Sequence, residues 1–248
     1  DCSEQCPEGI LQILVSDGAR EPLAARLKAA RLSRPFRVLD IGAVQNPWSL
    51  RHGVVDAIFD YNAWHLSAQC FDGPHTVQLE YQVQLAYQCC HVASELDCFN
   101  TEWTRDRCCE RGMPKAAPKL FSGDATRVSG WTELLQHVGK NGLFDFAIAS
   151  HILEDLPNPI LMLEMLPRVA KAGYIAMPTK FKELARFQTA GELPHRGHLH
   201  HNWIFTVRSG ELLLVPKGPA FSLDSAYDVM DIHGENDSRQ DLSFVWNG

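Results

Sequence analysis

Apolar side chains recur along the chain in two spacings, one helical and one typical of short buried strands. Over residues 8–32 the apolar positions repeat every three to four residues, which predicts helix. Asp17-Gly18 and Pro22 interrupt this repeat. The segment is therefore predicted to form two consecutive helices.

The remaining periodic segments alternate between strand and helix. Strands are predicted at residues 37–42 (RVLDIG), 54–60 (VVDAIFD), 119–124 (KLFSGD), 144–149 (FDFAIA) and 172–177 (AGYIAM), and helices at 130–138 and 159–170. Two further apolar runs, 203–207 and 211–215, flank Arg208-Ser209-Gly210 and predict a hairpin. This order predicts a single α/β domain over residues 1–248, with a doubly wound, mainly parallel sheet and an antiparallel C-terminal edge.

Composition and charge narrow the function classes. The 248 residues are 45% hydrophobic and 21% charged, as in ordinary globular proteins. A formal net charge of -7 disfavours a nucleic-acid partner, and no apolar run reaches the roughly 18 to 20 residues that a membrane span needs. Residues 219–248 are rich in acids and are expected to form a solvated surface.

All eight cysteines lie within the first 109 residues, and six of them fall in residues 69–118. This segment is predicted to be a cysteine-rich insertion within the domain, and it is a candidate surface for a protein partner. An even number of clustered cysteines favours disulfides, with a zinc site as the competing interpretation; their pairing stays open. The chain starts at Asp1 without a leader, so we expect a secreted or endomembrane-lumenal protein whose signal peptide has been removed.

Polar residues and glycines follow the predicted strands where a doubly wound sheet binds ligands, at the carboxyl ends of its strands. An acid twenty residues after the first strand's aspartate has the spacing of a ribose-binding carboxylate. Together these positions predict a nucleoside pocket. Its candidate residues are Asp40, Gly42, Ala43, Asp60, Asp124, Ser150 and His151.

A second group of polar residues lies in residues 194–203 (PHRGHLHHNW). Its four histidines are His195, His198, His200 and His201. Three interpretations stay open: the imidazoles ligate a divalent metal, one of them acts as a general base, or they are polar loop residues that pack beside the following tryptophan.

Four blocks of sequence, in this order, resemble the class I S-adenosylmethionine-dependent methyltransferases, and in particular the branch called methyltransferase type 11. The blocks are RVLDIGAVQNP (37–47), FSGDA (121–125), FDFAIASHILEDLPNP (144–159) and LPRVAKAGYIAMP (166–178). The chain departs from the family in a first motif with one glycine, and in Leu-Glu-Asp where Leu-Glu-His is usual.

The resemblance implies a Rossmann-like methyltransferase fold and S-adenosylmethionine as cofactor. Asp40, Gly42 and Ala43 would shape the cofactor loop, and Asp60 would hold the ribose. The resemblance also implies that Asp124 lies by the adenine edge, while Ser150 and His151 close the pocket near the methyl donor.

The expected reaction is methyl transfer to an oxygen of a small polar or saccharide acceptor. His151, His198 and His200 are the candidate bases, and a divalent metal held by the four loop histidines would instead lower the pKa of the acceptor hydroxyl. The alternative is a non-catalytic protein of the same fold, acting as a secreted or lumenal binding or assembly subunit that holds metal through its histidines.

Overall fold

The structure is a computed structural model, which describes residues 10–14, 20–42, 49, 53–61, 118–187, 195–218, 220–233 and 241–247. The strands are β1 (Ile10–Leu14), β2 (Val38–Ile41), β3 (Ala57–Asp60), β4 (Lys119–Ser122), β5 (Phe146–Ser150), β6 (Ala172–Pro178), β7 (Arg186–Phe187), β8 (His195–Arg196), β9 (Trp203–Arg208), β10 (Glu211–Pro216) and β11 (Asp241–Asn247). The α-helices are α1 (Arg20–Ser33), α2 (Thr132–Asn141), α3 (Pro159–Val169), α4 (Lys180–Leu184) and α5 (Ala220–Leu223), and the 3-10 helices are Val128–Trp131 and Ser225–His233.

Seven of these strands form one twisted sheet in the order β1-β11-β6-β5-β2-β3-β4. The five strands from β6 to β4 are mutually parallel, β11 runs antiparallel to β6, and β1 runs antiparallel to β11. The predicted α/β fold with a mainly parallel sheet and an antiparallel edge is therefore confirmed.

Alternate residues of the strands pack into two separate cores, one on each face of the sheet. On one face Leu39 and Ile41 of β2 join side chains of α2 and α3, and on the other Val38 packs with Leu23 and Leu27 of α1. Successive side chains of a strand point to opposite faces, so a strand covered on both sides reads as a continuous apolar run. The doubly wound architecture follows from this burial.

One sequence expectation about the chain ends is wrong and another holds only in part. The segment predicted as a first helix contains β1, whose backbone pairs with β11 more than 200 residues away, at Ile13 and Phe244 for example. The acidic tail expected to be solvated is exposed at Asp224 and Asp228, but it also contains β11, where residues 241–243 are buried. Both strands take their conformation from long-range pairing, which local periodicity does not register.

The hairpin predicted near residue 209 is present as β9 and β10, paired from Arg208 and Glu211 to Trp203 and Pro216. It is a separate two-stranded sheet, so the antiparallel edge of the main sheet is made by β11 and β1 instead. The hairpin packs onto the main core through Phe205, which forms a bridge with Thr179 just after β6.

Several predictions concern residues that are not described. All eight cysteines, Ala43 and the cysteine-rich insertion except Pro118 lie outside the described residues. The predicted disulfides, the partner surface and the lumenal location therefore stay predictions. Among the helices that are described, none has the length and apolar content needed to cross a membrane.

Gly130, in the 3-10 helix after β4, lies close to the backbone of Asp124, so we expect this position to tolerate no larger residue. A Cβ at Gly130 would lie 2.1 Å from the carbonyl oxygen of Asp124, whereas a Cβ at Gly139 on α2 would meet nothing within 4 Å. We expect Gly130→Ala to destabilise the protein by about 1–3 kcal/mol, because backbone atoms must move. The matched control, Gly139→Ala, should be neutral or stabilise by up to about 1 kcal/mol. Urea denaturation of both variants measures this, and equal effects would contradict the packing described.

Candidate functional site

The order of strands reverses between β2 and β5. From β2 the chain proceeds to β3 and β4 on one side of the sheet, and then to β5 and β6 on the other. Crossovers that leave in opposite directions open a crevice at the carboxyl ends of the two strands, which is where doubly wound sheets bind ligands. The residues at these ends are Gly42 after β2 and Ser150 in β5.

Gly42 has a left-handed backbone with φ +76°, and a Cβ there would lie 2.4 Å from Ile152 Cδ1. Its N–H donates to the carbonyl oxygen of Phe59 at 3.0 Å. A side chain at this position would be strained and would collide with the segment after β5. Glycine is therefore required for the chain to turn away from β2 so close to the crevice.

Asp40 is the next-to-last residue of β2, two positions before Gly42, and is 2% exposed. Its carboxylate accepts a hydrogen bond from the Ser49 hydroxyl. Burial, and to a smaller degree the nearby charge of Asp60, raises the pKa of Asp40 to about 7. Asp40 thus ties Ser49 to β2, while Asp60 ends the neighbouring strand β3.

The remaining predicted cofactor residues occupy the ends of β4 and β5. Asp124 accepts hydrogen bonds from Thr126 N at 2.9 Å and Thr126 Oγ1 at 2.5 Å. The hydroxyl hydrogen bond is the main cause that lowers the pKa of Asp124. Ser150 is buried, and Arg20 Nη2 lies 3.5 Å from its Oγ. The structure thus gives Asp124 a role in its own turn, and its adenine contact stays a prediction.

His151 is held between two carboxylates. Its Nδ1 lies 3.2 Å from Glu154 Oε1 and its Nε2 lies 3.1 Å from Asp241 Oδ2, while Lys182 Nζ is 3.5 Å from Asp241 Oδ1. Burial lowers the pKa of His151, but Asp241 and Glu154 outweigh it and raise the pKa to about 9. At neutral pH the ring is an imidazolium, which has no lone pair to accept a proton. This arrangement favours an electrostatic role over the predicted role as a base.

The histidine-rich loop begins at a buried arginine. The Arg196 side chain is 0% exposed and donates to the carbonyl oxygens of Leu184 at 2.7 Å and Tyr227 at 3.0 Å. It also pairs with Asp231 at 2.7 Å and with Asp228. Arg196 therefore joins the start of the loop to the end of α4 and to the 3-10 helix Ser225–His233.

A buried glutamate lies beneath this loop. Glu183 of α4 is 0% exposed, with Oε1 at 2.6 Å from His201 Nδ1 and Oε2 at 2.6 Å from Lys217 Nζ. Burial raises the pKa of Glu183, but His201 and Lys217 outweigh it, so the pKa lies below its ordinary value. Gly197, with φ +58°, passes so close that a Cβ would lie 2.5 Å from Glu183 Oε2.

Three of the predicted histidines contact one another and two of them meet an aspartate. The ring centroid of His201 lies 4.7 Å from that of His198 and 4.6 Å from that of His200. Asp155 Oδ1 lies 3.8 Å from His200 Nε2 and 3.7 Å from His201 Nε2. Burial is the main cause that lowers the pKa of His198, to about 4, so this ring is neutral.

The predicted four-histidine metal set is therefore only partly assembled. Within the described part of the chain, the group that could hold a metal ion is Asp155, His200 and His201, with one ligand atom from each and all three within 4.8 Å of one another. His198 packs against this group, and His195 lies in β8 opposite Phe187. Neither of these two belongs to it.

Hydrogen bonds to three backbone carbonyl oxygens fasten the loop to the segment after β5. Asn202 N donates to Glu154 O at 2.6 Å, Asn202 Nδ2 donates to Asp155 O at 2.7 Å, and Trp203 Nε1 donates to Leu156 O at 2.7 Å. The two segments are far apart in sequence, so their contact was not predicted. The departure from the family pattern at position 155 was the one sequence signal for this aspartate.

An apolar pocket of about 320 Å³ is lined by residues of α3, β6, the β9–β10 hairpin and β11. It includes Phe244 and Trp246 of β11, which pair with Ile175 and Gly173 near the amino end of β6. Because the candidate polar groups lie at the carboxyl ends of the parallel strands, this pocket is at the opposite end of β6. Of the predicted site residues that the structure describes, none lines this pocket.

No family model and no curated protein sequence matches the chain. Among solved structures, it is similar to the methyltransferase domain of a bacterial CtHen1, with 13% identity over 93% of this chain and 97% of that one, at a TM-score of 0.40. It is also similar to magnesium protoporphyrin IX methyltransferase from Synechocystis PCC 6803 with bound SAM, with 9% identity over 92% of this chain and 77% of that one, at a TM-score of 0.39. A third similar structure is an S-adenosylmethionine-dependent methyltransferase from Mesorhizobium loti, with 10% identity over 94% of this chain and 99% of that one, at a TM-score of 0.40. At this similarity the function has to be argued from the chain's own residues.

The pairing of His151 predicts a pH-dependent stability. Because its pKa is raised in the folded protein, the stabilisation is complete below pH 6.5 and is lost as the pH rises through 9. The shift from 6.5 to about 9 corresponds to roughly 3 kcal/mol. We expect the free energies of unfolding of the wild type and His151→Gln to differ most near pH 6.5 and to converge toward pH 10.

The control is His137→Gln. The pKa of His137 is lowered, chiefly by burial, so its difference from the wild type should stay constant at alkaline pH. Urea denaturation between pH 6.5 and 10 measures both differences. A His151→Gln difference that does not change with pH would show that the imidazolium is not paired as described.

Proposed function

We propose that the protein is an S-adenosylmethionine-dependent methyltransferase that acts on an oxygen of a small polar or saccharide acceptor. The observation that carries the proposal is the crevice where the strand order reverses, with left-handed Gly42 at its edge and Asp60 at the end of the neighbouring strand. These are the positions at which the sequence resembles the cofactor motifs of class I methyltransferases.

The chain offers suitable groups for such a cofactor. Gly42 brings backbone close to the crevice, and Asp60 carries a carboxylate of the kind that accepts hydrogen bonds from ribose hydroxyls. The Ser49 hydroxyl donates to the Asp40 carboxylate, which fixes Ser49 beside β2. S-adenosylmethionine supplies an electrophilic methyl group when bound.

The histidine-rich loop supplies the acceptor side of the proposal. It is fastened beside the end of β5 by the hydrogen bonds of Asn202 and Trp203, and its histidines are the proton acceptors that remain once His151 is charged. His198 is neutral and partly buried, and His200 is exposed. These two residues are the proposed bases, because their imidazoles are close to the cofactor edge of the sheet.

Calorimetric titration tests the proposal. We expect the wild type to bind S-adenosylmethionine and its demethylated product, and Asp60→Ala to bind both about ten- to a hundredfold more weakly, because hydrogen bonds to a charged carboxylate are lost. Glu164→Gln, an exposed acid on α3, is the control and should bind as the wild type does. A folded wild type that binds neither compound would contradict the proposal and favour the non-catalytic binding or assembly protein.

A further inference from the structure

We propose that Asp155, His200 and His201 form a binding site for a divalent transition-metal ion. The carboxylate comes from the segment after β5 and the two imidazoles come from the loop before β9. One ligand atom of each residue lies within 4.8 Å of the other two. Binding of the ion does not depend on the proposed methyltransferase function.

The tautomer of His201 directs a lone pair toward this point. Glu183 is a buried carboxylate that Lys217 also contacts, so it can only accept a hydrogen bond from His201 Nδ1, 2.6 Å away. In the neutral ring, the proton on Nδ1 leaves Nε2 with a free electron pair, on the side of Asp155. Metal-ligating histidines are commonly oriented by a carboxylate on their other nitrogen in this way.

Asp155 presents a second electron-rich atom. Its Oδ1 is buried and has no hydrogen-bond partner among the described residues. The distance of 3.7 Å to His201 Nε2 is too long for a hydrogen bond, and in the neutral ring with its proton on Nδ1 it places two electron-pair donors side by side. A cation between them would interact with both atoms.

The surroundings add negative charge and leave one side open. Glu154 Oε2 is also buried without a hydrogen-bond partner among the described residues, and the Glu154 carboxylate is close enough for its charge to act on Asp155. The side chain of His200 is 64% exposed, so an ion can enter beside it. The site therefore combines one buried acid, Glu183, that orients His201 with access from solvent beside His200.

The donor set selects the class of metal. Two imidazoles and one carboxylate suit Zn²⁺, Mn²⁺, Fe²⁺ or Co²⁺, whereas Mg²⁺ and Ca²⁺ prefer oxygen ligands. Ligand atoms around a tetrahedral ion with bonds of about 2.1 Å are about 3.4 Å apart. The separations of 3.7 and 3.8 Å from Asp155 Oδ1 need only a small contraction, and the two imidazole nitrogens, which lie within 4.8 Å of each other, would approach as the exposed His200 ring turns toward the ion.

Three protein ligands leave further coordination positions open. Because Asp155 lies just beyond the carboxyl end of β5, an ion here would be at the same edge of the sheet as the proposed cofactor crevice. There it would lower the pKa of an acceptor hydroxyl, and with His200 as a ligand it would leave His198 as the base. This last role rests on the proposed function, whereas metal binding itself does not.

The test is a titration of chelator-treated, thiol-alkylated protein with Co²⁺, followed by visible absorption, and with Zn²⁺, followed by calorimetry. We expect one ion per chain, cobalt d–d bands of nitrogen and oxygen ligation, and no thiolate charge-transfer band. His200→Ala and Asp155→Asn should each weaken binding at least tenfold. His137→Gln, a histidine on α2 outside the site, should bind as the wild type does.

Thermal denaturation of each variant verifies that it is folded, and the exposure of His200 makes its replacement the safest of the set. Absence of binding to the folded wild type would overturn the proposal. Unchanged affinity in folded His200→Ala and Asp155→Asn would overturn it as well, because the ion would then lie elsewhere. Loss of metal binding with intact S-adenosylmethionine binding would separate this site from the cofactor crevice.

Discussion

Buried charges at the carboxyl ends of β5 and β6 are the constraint on which the rest of the site depends. A buried ion without a partner costs several kcal/mol, so each of these groups fixes the position of another segment. Glu154 and Asp241 place His151, while Glu183 places His201 and Lys217. The first set of pairs joins the segment after β5 to the start of β11, and the second joins α4 to the loop before β9.

Two different regions of the sheet edge result from this arrangement. Around β2 and β3 the backbone turns sharply at Gly42 and leaves acids at the strand ends, which suits a nucleoside. Beyond β5 the paired charges orient imidazole and carboxylate donors, which suits a cation or the activation of a hydroxyl. A methyl donor and an acceptor need such adjoining regions, because in-line displacement depends on the alignment of the two reactants.

The sequence predicted the parts of the fold that are locally encoded. RVLDIG and FDFAIA are apolar runs between turn residues, and both are buried central strands. The sequence pattern was wrong for β1, where the spacing of apolar residues suggested a helix, and for β11, where the acids suggested a solvated surface. Both segments are strands because they pair with strands far away in the sequence. Helical periodicity cannot report a partner strand at the other end of the chain.

The same distinction explains what could be predicted of the site. His200 and His201 were candidates because histidines are dense in one short segment, but their carboxylate partners could not be found locally. Asp155 lies after β5 and Glu183 lies after β6. Both meet the histidine-rich loop only because these two segments contact the chain around the start of β9. Likewise, the raised pKa of His151 depends on Asp241, which lies 90 residues away in sequence.

A crystal structure of the protein with S-adenosylhomocysteine would locate the cofactor directly. We expect the nucleoside in the crevice at the carboxyl ends of β2 and β3, with its ribose hydroxyls on Asp60 and its remaining length directed toward the end of β5. A ligand found in the apolar pocket beside Trp246, or a crevice filled by side chains of the chain itself, would contradict this expectation.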